Sequence, residues 1–166
     1  MRAVICRAWG EVESLTIDDV PAPTPGPGQV LIDVKATGIN FADSLMVAGR
    51  YQTRPPLPFS PGLEAAGVVA ACGEGVTRVA PGDRVTAILA YGGLAEMALA
   101  DEVETFRVPD AMSFDEAGAF PIAYISSHVA IRWQGRLEAA ETLLVLGAAG
   151  AWASPRWRSA RRWVPA

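Results

Sequence analysis

The sequence predicts a mainly β body followed by the opening helix and strand of an α/β unit. Three observations carry this. Gly 16 and Pro 13 among 166 residues cut the chain into short segments, which favours strands and turns over a helical bundle. Alternating or β-rich runs recur along the chain as far as Ala100. From Ser113 the hydrophobic period becomes helical, and the chain then reaches the apolar run Thr142-Leu143-Leu144-Val145-Leu146 and the turn Gly147-Ala148-Ala149-Gly150. A short apolar run followed by such a turn is the form of a buried parallel strand feeding a helix N-terminus.

Taken in order, strands are expected over 2–6, 15–20 and 29–37, the last two separated by the turn-rich Pro21-Ala22-Pro23-Thr24-Pro25-Gly26-Pro27-Gly28. Val30, Ile32 and Val34 alternate with Leu31, Asp33 and Lys35, the pattern of a half-buried strand. A short helix fits Phe41 to Ala48, closed by Gly49. Further strands fit Gly67 to Ala71, Arg84 to Leu89 and Ala95 to Ala100, with Pro81-Gly82 as the turn before the second. Together these make a closed or sandwiched β unit. Ser113-Phe114-Asp115-Glu116 has capping-box character, and Ala117 to Trp133 reads as one or two helices interrupted at Pro121. The domains expected are 1–111 for the β body, 112–150 for the start of the α/β unit and 151–166 for an aberrant tail.

Bulk properties narrow the function. A content of 51% hydrophobic and 19% charged residues is that of a soluble globular domain. The segment 151–166 carries four Arg and no acid, which leaves 10 basic against 18 acidic residues in the remainder. An acidic body argues against nucleic acid as a partner. Met1-Arg2 leads straight into Ala3-Val4-Ile5-Cys6 without a signal-type apolar stretch, and no run approaches the roughly 20 residues of a membrane span. A cytoplasmic protein without a membrane partner is expected. Cys6 and Cys72 read as buried thiols rather than a disulfide.

At Gly38-Ile39-Asn40-Phe41-Ala42-Asp43, Pro61-Gly62-Leu63-Glu64-Ala65-Ala66-Gly67, Gly73-Glu74-Gly75-Val76 and Pro81-Gly82-Asp83-Arg84-Val85, the chain resembles the zinc-independent, zeta-crystallin-like quinone oxidoreductases of the medium-chain dehydrogenase/reductase superfamily. The match runs in family order from Met1 to Gly150. The resemblance implies a GroES-like β-barrel domain, a truncated Rossmann domain after it, NADPH as cofactor, a small quinone or enone as substrate, and a homodimer for the intact protein. In the superfamily's zinc enzymes, Cys and His stand where this chain has Asn40 and Leu63, leaving Glu64 as the one ligand-type residue. Since catalytic zinc takes three ligands from thiolate, imidazole and carboxylate, no metal is expected. Glu64 itself reads as a buried carboxylate bonded to local backbone.

By the same resemblance Asn40 and Tyr51 lie near the nicotinamide, Ser126 near the ribose-phosphate side, and Gly147, Ala148, Ala149 and Gly150 begin the pyrophosphate loop. Each has a plainer reading: Asn40 as a helix cap, Tyr51 as a surface aromatic, Ser126 as an ordinary helix serine. His128, the only histidine, reads as structural. No residue is assigned a catalytic role, because hydride chemistry belongs to the cofactor and the protein supplies orientation and a dry pocket. Enoyl thioester reduction is the alternative activity on this scaffold, and a non-catalytic GroES-like binding module the alternative without chemistry.

The tail departs from the family pattern. Ala151-Trp152-Ala153-Ser154-Pro155 places bulk and a helix breaker where the loop and its helix should follow. In a shifted frame, the Trp152 codon TGG followed by any Ala153 codon yields glycine, as does Trp163 followed by Val164. With permissive codons elsewhere the tail then reads as a dinucleotide-loop completion and an amphipathic helix. The expectation is a one-base loss near the Gly150 codon and an inactive chain as written. The rival is a genuine appendage whose Arg and Trp residues bind nucleic acid or an anionic membrane.

Overall fold

A computed structural model describes residues 1–138 and 140–146. The chain divides into two compact units, Met1–Ala119 and Phe120–Ala166. In the first, β1 (Arg2–Ile5) pairs antiparallel with β2 (Thr16–Asp19), Arg2 opposite Asp19 and Ile5 opposite Thr16. A five-stranded antiparallel sheet follows, built from β3 (Gln29–Ala36), β4 (Glu64–Cys72), β5 (Arg84–Ile88), β6 (Met97–Asp101) and β7 (Thr105–Arg107), in the order β6-β3-β4-β5-β7. Residues 94–96 stitch the two sheets together. Val4 N–H donates to the Leu94 carbonyl at 2.8 Å, Glu96 N–H to the Arg2 carbonyl at 3.0 Å, and Val34 N–H to the Glu96 carbonyl at 2.9 Å.

The core is built largely from the strands of this sheet. Val30, Ile32, Ala65, Val85 and Ala87 are fully buried, with Val69, Leu89, Ala98 and Ala100 beside them. The alternation read in β3 holds for Val30 and Ile32, but Leu31 is buried as well, next to the register shift against β4 between Leu31 and Ile32. Gly67 permits the close approach of β4 to β3: a Cβ there would lie 2.0 Å from the Asp33 carbonyl oxygen, next to the register shift between Val34 and Ala36.

The expected closed barrel is not formed among the described residues, since no ladder joins β6 to β7. The sheet is nevertheless strongly coiled. Asp101 ends β6, a 3-10 turn covers Glu102–Glu104, and Thr105 begins β7. Four residues of chain reach about 14 Å at most, whereas four strand spacings of a flat sheet cover about 19 Å. The edges therefore have to curl toward each other, and Thr105 Oγ1 closes the corner by donating to the Asp101 carbonyl at 2.8 Å.

Two helices belong to this unit. α1 (Phe41–Val47) ends at Gly49, whose φ of 67° and N–H bond to the Met46 carbonyl at 2.9 Å make the expected C-terminal cap. α2 (Phe114–Gly118) begins at a capping box. Ser113 Oγ accepts from the Glu116 N–H at 3.2 Å, and the Glu116 carboxylate accepts from the Ser113 N–H at 2.9 Å, which holds its pKa below the ordinary glutamate value. Ala117, fully buried, packs with Ala66 and Val108, and Thr86 Oγ1 donates to its carbonyl at 2.7 Å.

In the second unit a helix runs over 121–134. Its central turn is α3 (Ser126–His128), between π-type turns over Pro121–Ile125 and Val129–Gln134. Pro121 stands in the first turn, where its missing N–H costs nothing, so it starts this helix rather than interrupting one. The strand expected at Thr142–Leu146 is absent: these residues make no ladder, and Leu144 and Leu146 are 79% and 80% exposed. A parallel strand exists only beside a neighbour of the same sheet, and no such neighbour occurs among the described residues. Gly147, Ala148, Ala149, Gly150 and the tail lie outside the described residues.

Candidate functional site

The site grows from the turn that links β3 to α1. Asn40 is the N-cap of α1 and forms a capping box with Asp43, whose carboxylate accepts the Asn40 backbone N–H at 2.7 Å. The helix start is thus served from both sides, and the Nδ2 end of the Asn40 side chain remains for a second partner. Its Nδ2 donates to Glu64 Oε1 at 2.8 Å. Glu64 opens β4 and is 2% exposed. Its backbone is held by Thr37 Oγ1, which donates to the Glu64 carbonyl at 2.6 Å.

Gly38 makes room for this carboxylate. A Cβ at that position would stand 2.2 Å from Glu64 Oε1 and 2.8 Å from the Gly118 carbonyl oxygen, so any other residue displaces one of them. Asp43 performs the matching task on the other side. Its Oδ1 accepts the Gly62 N–H at 3.1 Å, which ties α1 to the turn that delivers Leu63 and Glu64 into β4. Burial pushes the Asp43 carboxyl up from its ordinary pKa, against the pull of the backbone N–H groups of Asn40, Gly62 and Leu63. Beside Asn40 in sequence, Ile39 and Phe41 are 80% and 79% exposed, so the polar amide lies between two apolar side chains that the chain leaves open.

The donor set at this place does not fit zinc. Asn40 offers an amide already bonded to Glu64, Leu63 is a buried core side chain, and no group of three His, Cys, Asp or Glu residues suited to a metal occurs among the described residues. Glu64 differs from the sequence reading in one respect: the partner of its carboxylate includes a side chain, that of Asn40, and not backbone alone.

Of the residues assigned to the cofactor, Asn40 is built into this cluster. Tyr51, half-buried, lies beyond the C-terminal end of α1. Ser126 opens α3 in the second unit and is exposed, whereas its neighbour Ser127 is fully buried. Asp43 and Thr37 were missed by sequence reasoning. Asp43 had a signal, because Asn40-x-x-Asp43 has capping-box spacing ahead of the apolar Leu45-Met46-Val47. Thr37 had none, since its contact is with a residue 27 positions away.

The alcohol dehydrogenase GroES-like domain family matches residues 26–110. Quinone oxidoreductase-like protein 2 of Rattus norvegicus is 41% identical over 151 residues, covering 90% of this chain and 42% of that protein. Among solved structures, the human synaptic vesicle membrane protein VAT-1 homolog-like protein superposes with a TM-score of 0.94 at 33% identity, over 99% of this chain and 53% of its own. The Escherichia coli quinone oxidoreductase complexed with NADPH gives 0.90 at 27% identity, over 98% of this chain and 50% of its own. The chain thus spans about half the length of these relatives or less. With its motifs, its coiled sheet and the Asn40–Glu64 cluster in place, the chain belongs to the alcohol dehydrogenase GroES-like domain family, alongside the quinone oxidoreductases of the medium-chain dehydrogenase/reductase superfamily.

Proposed function

We propose that this chain is the substrate-side half of a zinc-independent, NADPH-dependent oxidoreductase that reduces a quinone or an activated alkene. The observation that carries the reading is the 2.8 Å bond from Asn40 to Glu64. It puts an amide held by a buried carboxylate where zinc-dependent members of the superfamily carry a metal ligand, and such a site polarises a carbonyl by hydrogen bonding. When bound, NADPH supplies the hydride. The chain's own residues orient and desolvate. Asn40 donates to a carbonyl oxygen, Ile39 and Phe41 flank a planar ring, and Tyr51 borders the nicotinamide side. Ser126 and the 147–150 turn serve the ribose-phosphate and pyrophosphate in the complete protein. That protein is cytoplasmic and homodimeric in this reading. No described helix is long and apolar enough to cross a membrane.

The 166-residue chain itself binds NADPH weakly or not at all in this reading, because Trp152 and Pro155 stand where a glycine-rich loop and its helix are needed. The test compares it with a protein continued through the shifted reading frame. Fluorescence titration of NADPH and 1,4-benzoquinone-dependent NADPH oxidation are expected to be positive only for the continued protein. Turnover by the 166-residue chain overturns the fragment reading, and an inert continued protein overturns the oxidoreductase reading.

A further inference from the structure

We infer that Glu64 is a positioning residue that locks the Asn40 side-chain amide in one orientation, so that Asn40 meets a ligand carbonyl as a hydrogen-bond donor. The lock itself stands on the geometry, and only its use on a ligand rests on the function proposed above.

An asparagine amide has two ends of similar size and opposite hydrogen-bonding sense, and rotation by half a turn exchanges them. At Asn40 that exchange is blocked by electrostatics. With Nδ2 toward Glu64 a hydrogen lies between the partners; reversed, Oδ1 would face the carboxylate oxygen at the same 2.8 Å with no hydrogen between them. Glu64 is 2% exposed, so water cannot relieve the repulsion.

The carboxylate cannot move aside. Its residue lies in the β4 ladder opposite Ile88, its carbonyl is held by Thr37, and its Oε1 fills the space that Gly38 leaves open. Asn40 is anchored independently through its backbone N–H by Asp43. Both partners are therefore in place before a ligand arrives, as a pre-organised site requires. A purely structural helix start has no need of Glu64, because the Asn40–Asp43 capping box already serves α1 and burying a second carboxylate is unfavourable. One Nδ2 hydrogen is bound to Glu64 and the other remains to be given. The matching ligand group is a carbonyl acceptor, on either a quinone or the carboxamide of a nicotinamide.

Asn40 is the only asparagine of the chain, so asparagine-selective 15N labelling gives a single side-chain NH2 signal from the 166-residue protein. The expected spectrum has one hydrogen displaced downfield of the free-amide position by its bond to Glu64, and one close to that position. Duroquinone or nicotinamide mononucleotide is expected to shift only one of them. In Glu64→Gln that downfield displacement should be lost while the melting transition stays cooperative, and either probe should then perturb both hydrogens. A wild-type pair at free-amide positions, or a displaced hydrogen indifferent to Glu64→Gln, overturns the inference. A locked pair that neither probe moves leaves the positioning role standing and removes the ligand reading of Asn40. If Glu64→Gln fails to fold, Asn40→Asp decides. Two carboxylates at this distance have to share a proton, so its denaturation midpoint should fall steeply above the acid range and recover in Asn40→Asp/Glu64→Gln. A pH-indifferent Asn40→Asp variant contradicts the lock.

Discussion

Asp43 joins two pieces of local structure, because one carboxylate serves a helix start and the turn into β4. Asp43→Ala leaves the backbone N–H groups of Asn40 and Gly62 without their acceptor in a buried place, a loss of about 2 to 3 kcal/mol by urea denaturation. Asp43→Asn keeps the shape but turns an NH2 toward at least one N–H donor, so it too is destabilising. The folded-state pKa of Asp43 is raised, so the folded protein holds its proton more firmly than the unfolded chain. Its contribution is fully present below the unfolded carboxylate value and declines as pH rises through the raised folded one. The stability advantage of the wild type over Asp43→Asn is therefore expected to be larger at pH 3 than at pH 7. An advantage that grows with pH contradicts burial as the cause. Gly38→Ala tests the same cluster from the other side: displacement of Glu64 should lower the melting temperature and return the displaced Asn40 side-chain hydrogen toward its free-amide position.

At the scale of elements, the helix α1 with its Gly49 cap, the Ser113–Glu116 capping box and the central strand β3 were legible, because each rests on a local pattern. The beginning of β4 was not. Glu64-Ala65-Ala66 is a poor strand sequence, and it becomes strand because Glu64, Ala65 and Ala66 pair with Ile88, Ala87 and Thr86. β7 was missed for a similar reason, being only three residues defined by their pairing with β5. Thr142–Leu146 failed in the opposite sense, since a good strand sequence forms no strand without a partner. Of the candidate site, Asn40 was reached through motif resemblance, but its bond to Glu64 spans 24 residues and no spacing rule predicts it. The contact of α2 with the sheet offers a direct check. Thr86→Val removes the hydroxyl that reaches the Ala65 and Ala117 carbonyls while keeping side-chain shape, and about 1 to 2 kcal/mol of stability should go with it.

For the whole molecule, the first unit contains its own sheet, its own buried core and both capped helices, so Met1–Ala119 made alone is expected to fold. Circular dichroism should give a β-rich spectrum with a single cooperative melt, and a random-coil spectrum contradicts the division into units. Elemental analysis of the 166-residue protein is expected to find no stoichiometric zinc after chelator dialysis. One zinc per chain would mean that the donor set around Asn40, Leu63 and Glu64 had been misjudged.

The corner between β6 and β7 bears on how the first unit keeps its sheet edges from other strands. An open sheet exposes two rows of unpaired backbone groups, each a template for a strand from another molecule. Here the short link from Asp101 to Thr105 draws the two outer strands toward each other, and the hydroxyl of Thr105 takes one of the carbonyls at their junction. β7 offers only three residues and ends in Arg107, whose guanidinium pairs with Asp83. A strand approaching that side meets a short, charged edge. Lengthening the corner by a few glycines should leave the core intact and let the edges separate, with self-association at high concentration as the visible result.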